Sequence, residues 1–364
     1  MYDLAVREEE WAAADTLIRR KFKDKVPLGD RLLFAIVRKD TAAQRLLRSE
    51  ASSSAGQKGR KTKDLLLEAG WLLATYLEEL DRAEEFARLG TSPSLPVGHR
   101  ASAHELLGNL RVAGGRWTDA KTEFAAASRL AQPDSALVGR ALAAALPFLA
   151  VPRRELETIR AEVERWKPGA DVSEPLPESV RPLAPHIRLY LLGLLSSRMG
   201  DARAALYHAT ELERQPVPPD SRALMRDLAR TIRADVAWVA GHKDEALAQL
   251  QDVRGEVPLA LIRLPYFSQE HARYLRSRLL RQEGREAEAL ELVEVGFRGT
   301  PNELQYRAPG HLLSAEINHR LGNRAAAAEH YSRFIGLWRA CDPALRPLVD
   351  GAKAELAKMV AEPR

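Results

Sequence analysis

The chain has 364 residues, 45% hydrophobic and 6% aromatic, and its 55 basic and 50 acidic side chains leave a net charge of +5 and a pI near 9.3. Its single cysteine, Cys341, excludes an internal disulfide, and Met1 is followed by Tyr2, Asp3 and mostly charged residues rather than an apolar signal core. The longest apolar runs, 141–151 broken by Pro147 and 190–195, fall short of a membrane span, and the basic surplus is interleaved with Asp and Glu, which weighs against nucleic acid.

In chain order, residues 8–19 read as the second helix of a hairpin without its first, an uncapped start that leaves open that the chain is part of something longer. Apolar helices follow at 32–37 and 65–77, with hairpin turns near Glu10, Asp40 and Asp81; residues 1–100 are therefore degenerate hairpins. Between them, 51–63 is rich in Ser, Gly and Lys/Arg and reads as a mobile basic loop. The best hairpin spans 101–133, with Leu106, Leu107 and Leu110 in one helix, Gly114 and Gly115 at the turn, and Phe124, Ala127 and Leu130 in the next. A further apolar helix at 136–149 turns near Pro152, and hairpins run to 166. The proline-rich stretch 167–186 reads as an irregular connection and hinge. Hairpins resume over 187–342, with a long loop expected at 296–310. Pro343 or Pro347 then starts a last helix in 343–364 that gathers Val349, Ala352, Leu356 and Met359 on one face.

One pattern recurs: a glycine followed five residues later by alanine. The pairs are Gly115 with Ala120, Gly200 with Ala205, Gly241 with Ala246, Gly284 with Ala289, and Gly322 with Ala327. Successive glycines lie 85, 41, 43 and 38 residues apart, so the first gap hides another copy. Periods of this size mean stacked helical hairpins. Gly108 and Gly193 each stand seven residues before a turn glycine, inside a helix. Glycine there costs a helix about 1 kcal/mol against alanine, so a partner helix must come too close for a side chain. Later copies put Ala234, Ser277 and Ala315 at that position, all small.

The set Leu107, Gly108, Ala120, Phe124 and Ala127, repeated as Leu192, Gly193, Ala205, Ala209 and Leu212, resembles the tetratricopeptide repeat, although the family's first tryptophan is missing throughout. The resemblance implies an all-α, right-handed solenoid of about eight or nine antiparallel hairpins closed by the terminal helix. The run Glu329, His330, Tyr331, Phe334, Leu337, Trp338, Asp342, Pro343, Leu345 and Leu348 is similar to segments that end repeat arrays in many bacterial proteins. Such arrays often form the carboxy-terminal half of serine/threonine kinases or of transcriptional activators. No kinase glycine-rich loop, HRD or DFG triplet occurs here, so only a regulatory part of such a protein is implied.

Catalytic and metal chemistry find no support in the residues. The stretch 56–62 fails the phosphate-loop spacing, with Arg60 where lysine belongs. His104 and Glu105 lack a second histidine four residues on, and His311 and His319 are eight apart, about 12 Å along a helix. There is no GxSxG elbow, Cys341 reads as half-buried filler, and the acid pairs Glu84 with Glu85 and Glu162 with Glu164 read as exposed partners of arginine. The expectation is a non-enzyme without cofactor or metal, cytoplasmic and outside membranes.

What remains is the groove. The resemblance implies that first helices line a concave face, where this chain places Glu105 and Asn109, then Tyr190 and Arg198, then Tyr274, Arg278 and Arg281, then His319 and Arg320. Tyrosine and arginine dominate binding hot spots, and arginines suit an acidic or carboxylate-ended peptide. The family's Lys and Asn carboxylate clamp is not reproduced. Two readings stand: a scaffold that holds a protein segment in its groove, or the sensor part of a bacterial signalling protein.

Overall fold

The five turn glycines, Gly115, Gly200, Gly241, Gly284 and Gly322, all take φ between +70° and +85°, and the alanines five residues on are all fully buried. The computed structural model describes residues 11–361 except 27, 39, 55–62, 131–132, 169–180, 254, 256, 258–260, 262–263, 267 and 295–300. Among the described residues there are helices and turns but no strand. The chain divides into two compact units, Met1–Arg111 with Asp119–Pro133, and Val112–Thr118 with Asp134–Arg364.

The first unit holds α1 (Trp11–Phe22), a 3-10 turn (Lys23–Lys25), α2 (Leu28–Val37), α3 (Thr41–Ser54), α4 (Lys63–Tyr76), α5 (Leu80–Leu89), most of α6 (Val97–Ala113) and of α7 (Trp117–Leu130). Helix α1 packs on α2, α2 on α3 and α4 on α5, and α2 also meets α4. Ala14, Ile18, Leu33, Phe34 and Tyr76 form an apolar cluster, flanked by Trp11, Leu17 and Trp71. The turn near Asp40 is real: its carboxylate accepts the Ala43 N–H at 2.9 Å and caps α3. Gly108 behaves as its position demands, since a Cβ there would sit 2.8 Å from the Phe124 ring. Glu84 departs from the sequence reading. It is buried beneath Arg88, 2.7 Å away, and Arg111, because it falls on the inner face of α5 between Ala83 and Ala87.

The second unit holds α8 (Pro133–Ala145), α9 (Arg153–Arg165), a 3-10 turn (Arg181–Leu183), α10 (Ala184–Arg198), α11 (Ala202–Arg214), a 3-10 turn (Pro219–Ser221), α12 (Arg222–Val239) and α13 (Lys243–Gln251). It continues with α14 (Glu270–Gln282), α15 (Glu286–Glu294), the single turn α16 (Pro301–Leu304), α17 (Arg307–Arg320), α18 (Arg324–Leu337), a 3-10 turn (Pro343–Leu345) and α19 (Arg346–Ala361). From α9 onward each helix packs on the next, with α17 following α15, and α10, α12, α14 and α17 also touch in series. That pattern is what stacked helical hairpins produce. Gly193 of α10 faces Ile232 of α12, where a Cβ would meet the isoleucine Cδ1 at 2.4 Å. Ser277, the polar stand-in at the same repeat position, donates its hydroxyl to the Ala289 carbonyl at 2.7 Å and so stays buried without cost.

Several boundaries move. Helix α8 stops at Ala145, short of 149, because Pro147 forces the residue before it out of the helical region. The stretch 296–310 is not one long loop, since α16 begins at Pro301 and α17 at Arg307; 295–300 lie outside the described residues. The basic stretch 51–63 is helical through Ser54, and its 55–62 portion, with the phosphate-loop look-alike at 56–62, lies outside them, as do 169–180 of the proline-rich connection and residues 1–10.

One contact within the second unit goes beyond neighbour-on-neighbour stacking. Trp338, 1% exposed, donates its indole N–H to the Ala113 carbonyl at 2.9 Å, 225 residues away. The Asp342 N–H donates to the Gly115 carbonyl at 3.0 Å, and the Asp342 carboxylate accepts the Thr118 N–H at 3.0 Å. Gly115 is needed twice over, because a Cβ would also lie 3.0 Å from Cys341 Cβ. Cys341 is therefore buried rather than half-buried, and burial pushes its thiol pKa up.

Candidate functional site on the inner helices of the second unit

The groove positions named from the sequence separate into three groups. Glu105, half-buried, and Asn109, buried, belong to the first unit and lie on α6. Tyr190, Arg198 and Tyr274 are in the second unit but are taken up by its interior. Tyr190 is 2% exposed with its ring 4.7 Å from Tyr266, and Tyr274 is 6% exposed, meeting Phe148 and Tyr306 at 5.7 and 5.5 Å. Arg198 donates to the Leu149 carbonyl, and desolvation lowers its pKa against the pull of Asp235. These side chains lie on α10 and α14, where Phe148 of the turn at 146–149 and Tyr266 fill the space in front of the two rings. A peptide reaching those rings must first displace the chain's own residues.

The third group comes together at one edge. The Arg278 guanidinium lies over the Trp238 ring at 4.9 Å and over Tyr274 at 5.8 Å. Arg281 pairs with Glu316, and Arg320 donates to Glu286 at 3.2 Å and to the Arg281 carbonyl at 3.3 Å. His319 sits 4.0 Å from Glu355. Burial raises the Glu316 pKa while Arg281, Arg278 and Arg320 pull it down, so three cations face one half-buried carboxylate. Spacing along α14 explains the grouping: Tyr274, Arg278 and Arg281 fall at intervals of four and three, on one helical stripe.

Deeper in, the structure shows a polar network that the sequence reading missed. His271 bridges Asp235 on α12 and Tyr306 at the start of α17, at 3.1 Å through Nε2 and 2.8 Å through Nδ1. Since a carboxylate only accepts, Nε2 carries a proton, and a neutral ring accepts the Tyr306 hydroxyl at Nδ1. All three residues are buried, so the line ties helices together. Asp227 adds a second tie, accepting the Gly255 N–H at 3.1 Å and the Gln269 amide at 3.3 Å. Gln269 itself holds φ at +49°, a strained value for a residue with a side chain.

Beside the network lies a cavity of about 10 Å³ lined by Tyr190, Tyr266, Glu270, His271, Gln305 and Tyr306. Tyr266 Oη and Glu270 Oε2 are buried there without a hydrogen-bond partner, and the space suits one bridging water. Desolvation and then the like charge of Glu303 push the Glu270 pKa up to about 8, against Arg273, which is itself bound to Glu303 at 2.6 Å. Burial likewise holds the Tyr190, Tyr266 and Tyr306 hydroxyls well above the usual tyrosine range.

A signal for the network was present in the sequence. Asp227, Thr231 and Asp235 recur every four residues on a face of α12 that otherwise carries Leu224, Leu228 and Ile232, and a polar stripe on a buried face needs partners. The pair His311 and His330, 2.9 Å apart through their Nδ1 atoms, had no such signal, because the two lie on different helices. Among the described residues, no three or more His, Cys, Asp or Glu side chains are grouped to hold a metal, and no helix is long and apolar enough to cross a membrane. No protein-family model matches the chain, and no curated protein matches it significantly.

Proposed function

We propose that this chain is a non-catalytic scaffold of the tetratricopeptide kind, a right-handed stack of eight or nine hairpins ended by α19, which works in the cytoplasm by holding an acidic protein segment. The observation that carries the reading is the cationic edge of the second unit. Arg278 is already stacked on two aromatic rings, so little rotamer entropy is lost when it takes a carboxylate. Arg281 and Arg320 are held by Glu316 and Glu286 in the way an incoming carboxylate would hold them. His319 and Arg320 keep about half their side-chain surface exposed. The buried Tyr274 acts beneath Arg278 as its support.

The test compares wild type with the Arg278→Ala/Arg320→Ala variant in affinity capture from native extract, with helical content checked by circular dichroism. The expected result is loss of the specific partner with the fold unchanged. A variant that keeps every partner removes the reading.

A second reading makes the array the regulatory part of a bacterial kinase or transcriptional activator. It is supported by the run that resembles array ends, which here forms α18 and α19 with Tyr331, Phe334, Trp338 and Leu345 buried. The coding region upstream decides it: an in-frame kinase or DNA-binding domain supports this reading, and an unrelated gene ending in a stop removes it.

A further inference from the structure

The first unit carries a cleft that the scaffold reading does not use. It encloses about 360 Å³ between the end of α1, the Lys23–Lys25 turn, α2 and the start of α3, which is within the range of small-molecule sites. Four cations line it, Arg19, Lys23, Arg31 and Arg38, against two acids, Asp15 and Asp40. The acids are committed. The Asp15 carboxylate accepts from Arg19 at 2.8 Å and from Arg38, and Asp40 caps α3. Among the described residues, Arg31 reaches only Glu50, at 3.3 Å, with both side chains over 40% exposed, an arrangement worth at most about 1 kcal/mol. Among the described residues, no carboxylate pairs with Lys23, and its backbone is held at φ +52°.

Two consequences follow. With Glu50, an exposed partner of Arg31 outside the lining, set aside, the lining carries a surplus of two positive charges, on Lys23 and Arg31, in a concave space where the field is focused. Arg19 and Arg38 are occupied by the Asp15 carboxylate, which leaves Lys23 and Arg31 as the lining cations available to an anionic guest. The remaining wall is apolar, made by Val26, Phe34 and Ala35. A guest that satisfies both parts has an organic body and a charge near −2, which a phosphate monoester carries at neutral pH.

We propose that this cleft binds a phosphate monoester, with Lys23 and Arg31 taking the phosphate and Val26 and Phe34 contacting the organic group. The ester is either a free small molecule or a phosphorylated side chain of another protein, and both present the same chemistry to the cleft.

The experiment titrates the full chain with phenyl phosphate at low salt by isothermal calorimetry, with benzoate and phenol as controls for charge and body. Saturable binding of phenyl phosphate with Kd below about 1 mM is expected, weakened about tenfold by Lys23→Met and by Arg31→Met, tenfold corresponding to about 1.4 kcal/mol. The Arg278→Ala variant should bind as wild type does, so a failure of the scaffold reading leaves this one standing and the reverse. Absence of saturation, equal affinity for benzoate, or full affinity in both Met variants with unchanged circular dichroism would overturn the assignment. A phosphoserine peptide binding more tightly than phenyl phosphate, while its unphosphorylated form does not bind, identifies a protein source; no advantage for the peptide identifies a free metabolite.

Discussion

Adding one methyl group at Gly193 tests the central packing claim. By helix propensity alone, Gly193→Ala should stabilise α10 by about 1 kcal/mol. Against that gain stands Ile232, fully buried on α12, whose Cδ1, Cγ1 and Cγ2 would lie 2.4, 2.9 and 3.2 Å from the new Cβ. Swinging Cδ1 away leaves the other two carbons too close, so the helices themselves must separate. Overpacking of this kind costs about 1–3 kcal/mol, and more where both elements are buried along their length. The expected balance is a net loss of up to about 2 kcal/mol. Ile232→Val removes only the nearest carbon and alone costs about 1 kcal/mol. In the double variant part of the clash is gone, and the two changes should couple favourably by about 1 kcal/mol. Urea unfolding followed by circular dichroism measures all four corners of this cycle. A single Gly193→Ala variant more stable than wild type would show that α10 and α12 are not in the contact described.

Gly115→Ala should be more damaging than Gly200→Ala, because both sit at positive φ but only Gly115 also faces Cys341, Leu345 and Trp338; comparing the two melting temperatures checks this. Glu270 supplies the pH dependence. Its folded pKa, near 8, lies above that of an unfolded glutamate, so its contribution is fully present below about pH 4.3 and is lost as pH rises through 8, at up to about 1.4 kcal/mol per unit. Glu270→Gln should flatten that slope and be the more stable form at pH 8, which urea midpoints at several pH values will show. Asp227→Asn removes the acceptor charge that holds the Gly255 N–H and the Gln269 side-chain amide, and hydrogen exchange at the Gly255 backbone amide should quicken while α10 and α11 stay protected. Trp338→Phe orphans the buried Ala113 carbonyl at a cost of about 1–3 kcal/mol, and an unchanged unfolding midpoint would contradict the return contact.

The helical punctuation was legible because it is local. A turn glycine, an alanine five residues later and a small residue seven before are steric statements that a short stretch of chain makes about itself, and Gly115, Gly193 and Ser277 all behave accordingly. Arg278, Arg281 and Arg320 all face the Glu316 carboxylate. Burial was not legible. Glu84 reads as a surface acid by its arginine neighbours, yet a quarter turn of helix decides that it lies under Arg88.

By itself, the sequence determined the helical class, the turn glycines and the small residues at close helix contacts, since each depends on residue types at fixed spacing. Only the tertiary structure decided which inner side chains stay available. Tyr190 and Tyr274 are covered by Phe148, Tyr266 and Tyr306, residues 32 to 126 positions away along the chain. Which of two tyrosines ends up facing water depends on what a distant segment packs against, and helical periodicity carries no information about that.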